Sequence, residues 1–223
     1  LVADRRQLVH DLRGFVVLGQ EQVVPAGLAV AQRALAPGAR VDAIVDMARR
    51  GVWILGEVEA EQRAAGMGMV VEYAGETGEP QWRPAASTPW DYRIFGGDSA
   101  APEPDGRLTL VFRSTADGHH WTINGKSHPR TDDIVVGANR RYRWLLDNQS
   151  AHPHPIHLHR HAFELVRYAG APSSGIRKDV IVVPAWQQIE IDVLATQPGL
   201  SLFHCHQQFH MDMGFMTLMR HSG

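Results

Sequence analysis

Two short histidine blocks carry most of the chemistry open to this sequence. Eight of its thirteen histidines fall in residues 152–161 and 204–210, and only His10 precedes His119. The first block reads His152-Pro153-His154-Pro155-Ile156-His157-Leu158-His159-Arg160-His161-Ala162-Phe163. The second contains His204-Cys205-His206 and, five residues after the cysteine, His210. Side chains alternate faces along a β-strand. Read as a strand, the first block puts His157, His159 and His161 on one face, with Leu158 and Ala162 on the other. The second puts His204 and His206 on one face and Cys205 on the other. One strand then offers a thiolate to one metal site and two imidazoles to another, from neighbours only about 3.3 Å apart along the chain. His210 lies beyond that strand and can fold back to the thiolate side.

Imidazole suits copper, zinc and iron, and a His2Cys set with a weak or absent axial ligand is the signature of blue copper. His154, Cys205 and His210 supply that set. A purification tag would sit at a terminus and would not alternate with Pro, Leu and Phe. The spacing of a structural zinc site is not that of His-Cys-His. Cys205 is the only cysteine, so no internal disulfide is possible and the residue needs another explanation.

These residues have to be positioned by a fold, and the surrounding sequence reads as all-β. Short β-rich runs are predicted at 16–18, 41–45, 52–55 and 69–73. From residue 107 they recur at 108–112, 121–123, 141–146, 156–168, 180–183, 189–193, 200–206 and 215–220. Asn124-Gly125 is a strong hairpin signal. Residues 26–36 could be read as helix by local pattern, and the resemblance given below favours extended structure there. Met67 and Met69 read as core. Many short strands separated by turns argue for an antiparallel sandwich or small barrel. Residues 75–106, rich in Gly, Pro, Ser, Asp and Glu, read as a linker or long surface connection. Trp82, Trp90, Tyr92 and Phe95 within it suggest that it lies against a domain.

The 223 residues suffice for one large or two smaller domains with a real core. At 44% hydrophobic, 21% charged and a formal net charge of −2, nothing favours nucleic acid or an acidic membrane surface. No apolar run is long enough to span a membrane. The chain lacks an initiating Met and a signal-peptide pattern, so the natural N-terminus is expected upstream.

The two blocks resemble the C-terminal copper motifs of the laccase-like multicopper oxidases, H-P-x-H-L-H-G-H-x-F and H-C-H-x-x-x-H, over His154–Phe163 and His204–His210. Weaker similarity to bacterial members runs from about Val9 onward and includes Trp121-Thr122-Ile123-Asn124-Gly125-Lys126. The resemblance implies a cupredoxin-like Greek-key β-sandwich or barrel. Residues 1–75 would be the end of a second cupredoxin domain, 76–106 a linker and 107–223 a C-terminal cupredoxin domain. It implies type 1 copper on His154, Cys205 and His210, type 2 copper on His157, and the type 3 pair on His159, His204 and His206. His161 fills a motif position without being an expected ligand. Arg160 stands where the motif has Gly. The axial slot, five residues after His210, holds Phe215 rather than Met, with Met213 and Met216 as flanking alternatives. A non-ligating axial residue raises the type 1 potential.

The implied trinuclear cluster takes eight histidines, of which this chain offers 157, 159, 204 and 206. Residues 1–118 hold only His10, so the other four are expected from an N-terminal cupredoxin domain outside the chain. The activity implied is that of an oxidase. A small aromatic reductant, a phenol or aromatic amine, gives up single electrons near His210. Cys205 passes them to His204 and His206, and dioxygen is reduced to water. Cys205 and His210 are then the residues on which turnover depends. A blue-copper electron-transfer module without oxidase activity is the alternative, and the redundant histidines oppose it. A nitrite-reductase-like cupredoxin needs one histidine beside the cysteine, and this sequence has one on each side. Export to the periplasm or the exterior is expected for such an oxidase. Asn148-Gln149-Ser150 is a glycosylation sequon by pattern. His119, His120 and His128 read as surface residues, and His152 as a solvated neighbour of the site.

Overall fold

The computed structural model describes residues 16–18, 37–39, 42–44, 49–57, 59–82, 95–97 and 99–222. The chain divides into two compact units, one of residues 1–34 and 41–91, the other of 35–40 and 92–223.

In the first unit, β1 (Val16–Leu18) pairs antiparallel with β2 (Asp42–Ile44), and β3 (Val52–Gly56) with β4 (Gly68–Glu72). A short helical stretch, α1 (Ala60–Gln62) running into a wide turn at Arg63–Met67, joins β3 to β4. Met67 and Met69, expected in the core, are exposed: Met67 ends the turn, none of whose residues is buried, and Met69 lies on β4, which turns most of its residues to solvent. Arg63 lays its guanidinium 3.8 Å over the Trp82 ring. Residues 26–36, Trp90 and Tyr92 lie outside the described residues.

The second unit is a two-sheet β structure. Its strands are β5 (Gly106–Ser114), β6 (Trp121–Ile123), β7 (Ile134–Val136), β8 (Arg141–Asn148), β9 (His154–Leu158) and β10 (Phe163–Tyr168). Then come β11 (Ala171–Pro172), β12 (Arg177–Lys178), β13 (Val180–Val183), β14 (Gln188–Leu194), β15 (Leu200–Cys205) and β16 (Met216–His221). One sheet runs β11-β10-β14-β8-β5-β6 with β12 on β10, and the other runs β13-β9-β15-β16-β7. The parallel pairs β5 with β8 and β7 with β16 mark where the chain crosses between sheets. The architecture is all-β and cupredoxin-like.

Period-two burial builds the core. Trp144 and Leu146 on β8, Ile189 and Ile191 on β14, and Phe203 on β15 are fully buried at alternate positions. Rings from the two sheets meet: Trp144 lies 5.6 Å and Phe112 6.3 Å from Phe203, and Phe215, just before β16, lies 5.0 Å from Phe112. Asp192 breaks the alternation on β14. Its fully buried carboxylate accepts two bonds from Arg143, at 2.8 and 3.0 Å, and lies 3.4 Å from Arg141. Arg143 also donates to the Pro102 carbonyl at 2.8 Å, which ties the approach to β5 onto the sheet. Asn124 (φ 51°) and Gly125 (φ 80°) form the predicted two-residue hairpin turn in the left-handed conformation that this turn type demands.

The stretch 156–168, read from sequence as one strand, breaks after Leu158. Arg160 adopts φ 63°, a left-handed conformation that explains why the motif has Gly there. His161 therefore does not continue the face of His157 and His159. It turns inward, where its ring accepts the Gln197 N–H at 3.3 Å and lies 3.3 Å from Ser201 Oγ.

Candidate metal centre

β9 and β15 pair antiparallel, and this register organises the site. His204 lies opposite His157, Cys205 opposite Ile156, and Phe203 opposite Leu158. Paired residues share a face. His157 and His204 therefore stand together on one side of the sheet, while Cys205 follows Phe203 to the core side. His154, two residues before Ile156, shares that core side. The short helix α2 (Gln208–Asp212) brings His210 back to it.

Among the described residues, two groups are arranged to hold a metal ion: His154, Cys205 and His210, all buried, and His157, His159 and His204. In the first, His154 Nδ1 lies 3.2 Å from His210 Nδ1. Cys205 Sγ lies 3.8 Å from His154 Nδ1 and 3.6 Å from His210 Nδ1. A point equidistant from these three atoms is about 2.1 Å from each, in the range of metal–nitrogen and metal–thiolate bonds. The donors therefore fit a single ion without rearrangement.

Burial lowers His154 to about 3, with the neighbouring His210 and His152 adding to it, and lowers His210 to about 4. Both imidazoles are neutral near pH 7, as ligands must be. Burial pushes the Cys205 thiol up to about 12, so a thiolate there needs a cation beside it.

Hydrogen bonds select the nitrogen that His154 presents. The Asn148 Nδ2 group donates to the carbonyls of His152, Pro184 and Val183, at 2.8, 2.9 and 3.2 Å. Its Oδ1 is thereby free to accept, and it takes the Ser150 hydroxyl at 2.8 Å. Ser150 Oγ then accepts from His154 Nε2 at 2.9 Å, which leaves Nδ1 to face Cys205 and His210. Asn148 and Ser150 are the site residues that sequence reasoning missed. Asn148, which opens the sequon pattern, is 1% exposed, and its amide is fully engaged.

An aromatic wall closes the pocket. Phe215 is fully buried, with its ring 4.8 Å from that of His154. Met216 is paired with His204 and so lies on the opposite face from Cys205. Trp121 packs 4.2 Å from His210 and 4.6 Å from His154. His152, exposed, lies 5.6 Å from Trp121 and 5.9 Å from His210.

The second group lies on the other face. His159 Nε2 is 3.0 Å from His204 Nε2. His157 Nδ1 donates to the Asp179 carbonyl at 2.7 Å, and His204 Nδ1 to the Cys205 carbonyl at 2.9 Å. Both rings thereby present Nε2 outward, and both outer bonds orient them as metal-bound histidines are oriented. Burial lowers His204 to about 4 and, with help from His157 and His206, lowers His159. His206 stands 5.4 Å from His204 and 5.6 Å from His157 by ring centroid, beside the three rather than within their cluster. Gly38 (φ +77°) packs on its ring so closely that an added Cβ would sit 2.4 Å from it. His119, His120 and His128 are exposed and join neither group.

The sequence profile of the multicopper oxidase family matches residues 101–222. A multicopper oxidase of Mycobacterium tuberculosis is 31% identical over 185 residues, which cover 80% of this chain and 36% of that protein. A laccase of Cryphonectria parasitica is 28% identical over 152 residues, 48% of this chain and 26% of that protein. Among solved structures, a laccase-like multicopper oxidase from the lignin-degrading bacterium Ochrobactrum sp. superposes with a TM-score of 0.61 at 18% identity. It covers 94% of this chain and 51% of that one, a likeness of fold. The chain thus spans about a third or less of the length of these two relatives.

Proposed function

The chain belongs to the multicopper oxidase family, and from that premise we propose that it is the electron-accepting and cluster-bearing end of a laccase-like oxidase. His154, Cys205 and His210 hold type 1 copper. His157 serves type 2 copper, and His159, His204 and His206 serve the type 3 pair. Copper at these positions supplies one-electron redox chemistry between an organic reductant and dioxygen, which is reduced to water. The observation that carries this reading is the pairing of consecutive residues with opposite faces. Cys205 belongs to a buried His2Cys pocket, while its neighbour His204 belongs to a histidine cluster on the other side of the same strand. One peptide unit joins the two.

The residues of the chain perform distinct tasks. Ser150 and Asn148 hold His154 in the tautomer that offers Nδ1. Phe215 and Trp121 keep water from the thiolate side. The Asp179 and Cys205 carbonyls orient His157 and His204. The other four cluster histidines come from an N-terminal cupredoxin domain outside this chain. The reductant is a small aromatic, a phenol or aromatic amine, as the likeness to a laccase supports, and it docks beside His210. The protein works in the periplasm or outside the cell. No helix among the described residues is long and apolar enough to cross a membrane. An electron carrier has no use for His157, His159, His204 and His206, which argues against a module that only transfers electrons.

Replacing Cys205 with Ser tests the reading. The variant is expected to lose the intense thiolate-to-copper absorption, and the complete oxidase carrying it to lose turnover with aromatic reductants. Unchanged turnover in a folded Cys205→Ser protein would contradict it.

A further inference from the structure

One element touches the metal pocket without supplying a donor. The hairpin from Trp121 to His128 is fixed to the larger sheet. Phe112 pairs with Ile123, Thr122 Oγ1 donates to the Arg113 carbonyl at 3.0 Å, and Asn124 exchanges bonds with Val111 and Thr109. Its other side grips the loop that carries His210 and Phe215. The Trp121 N–H donates to the Met213 carbonyl at 2.9 Å, and the His128 N–H to the Gly214 carbonyl at 3.0 Å. Ser127 Oγ closes the hairpin by donating to the Trp121 carbonyl at 2.6 Å. Gly214 (φ +94°) fits against it so tightly that an added Cβ would lie 2.9 Å from Ser127 Cβ and 3.3 Å from the His128 nitrogen. The Trp121 ring, 4% exposed, rests 4.2 Å from His210 and stacks 5.9 Å from Phe215 at 12°.

The gripped loop has little order of its own. Its helix α2 has five residues and no side-chain cap, and so short a helix is marginal without outside support. We propose that the Trp121–His128 hairpin is a brace that holds the His210 loop in its metal-binding shape before the metal arrives, with Trp121 as the positioning residue for the His210 imidazole. This rests on the assignment of His154, Cys205 and His210 to type 1 copper. The brace removes from metal binding the cost of ordering the loop. It also fixes where the His210 imidazole stands relative to Cys205 Sγ, 3.6 Å from His210 Nδ1.

The test compares Trp121→Leu, Trp121→Phe and Gly214→Ala in the full chain. Copper affinity is measured by competition with a chelator, together with the optical and electron-spin spectra and far-ultraviolet circular dichroism. Loss of partners that orient metal ligands typically weakens binding on the order of tenfold to a hundredfold. That loss is expected for Trp121→Leu and for Gly214→Ala, with a shifted blue band and altered copper hyperfine splitting. Trp121→Phe, which keeps a ring against His210, is expected to recover most of both. A folded Trp121→Leu chain with unaltered affinity and spectra would overturn the proposal. If that variant does not fold, the same result for Gly214→Ala would overturn it. An unsubstituted chain without a blue band would overturn the copper assignment itself, and the brace with it.

Discussion

Ser150 governs which nitrogen His154 turns to the pocket, since its Oγ accepts from Nε2 at 2.9 Å while its own proton goes to Asn148. Ser150→Ala removes that acceptor and lets both tautomers compete. Copper affinity is expected to fall on the order of tenfold to a hundredfold, and a titration at neutral pH reads it. Unchanged affinity would place the Asn148–Ser150 pair outside the site. Phe215 gives a second test. Its ring packs on His154 and offers no ligand atom, so Phe215→Met, which adds a weak thioether ligand, is expected to lower the type 1 potential. A potential unchanged or raised in potentiometric titration would contradict the axial assignment. At this scale the residues that come together in two groups were legible, because His-Cys-His and His-Pro-x-His announce themselves by residue type. Asn148 and Ser150 were not. Their role depends on burial and on carbonyls at His152, Val183 and Pro184, and no local pattern encodes that.

At the scale of elements, alternation on β15 placed Cys205 and His204 on opposite faces, and the structure has the same division because period two is a property of any strand. The reading failed where a turn intervened. Arg160 takes the conformation of a glycine, so His161 turns away from His157 and His159. Met67 and Met69 looked like core by residue type, but neither the turn that ends at Met67 nor the hairpin strand that carries Met69 has a covered face. Asp192 was equally silent in the sequence, an acidic residue inside the β14 apolar run. Its carboxylate is fully buried against Arg143, and removing one partner of a buried pair costs about 3–5 kcal/mol. Asp192→Asn is therefore expected to lower the unfolding free energy of the second unit by that order, read as a fall in its denaturant midpoint, while leaving the blue absorption intact. A midpoint within error of the parent would show that the pair contributes nothing to stability.

At the scale of the whole molecule, the buried donors make the metal-free chain sensitive to pH at both ends. The histidines take protons near 6.5 when unfolded, but only near 3 for His154 and near 4 for His204 and His210 when folded. Below about pH 6.5 the unfolded chain binds more protons, so stability falls as pH falls towards those values and is fully present above 6.5. Cys205 acts in the opposite sense. Its thiol rises from 9.0 to about 12 on folding, so its contribution is complete below pH 9 and is lost as pH rises towards 12. Denaturant midpoints of the chelator-treated chain should form a plateau between these limits. No decline below pH 6 would contradict the burial of these imidazoles. In the proposed function, neighbouring residues of β15 serve two copper sites, Cys205 the blue-copper pocket and His204 a cluster of which this chain holds half. Copper content, measured with optical and electron-spin spectra on the copper-loaded chain, decides this. About one tightly held copper per chain, with an intense thiolate band and a type 1 signal, is the predicted result. Absence of the blue band would contradict the role of Cys205, and four tightly held coppers in this chain alone would contradict the half-cluster.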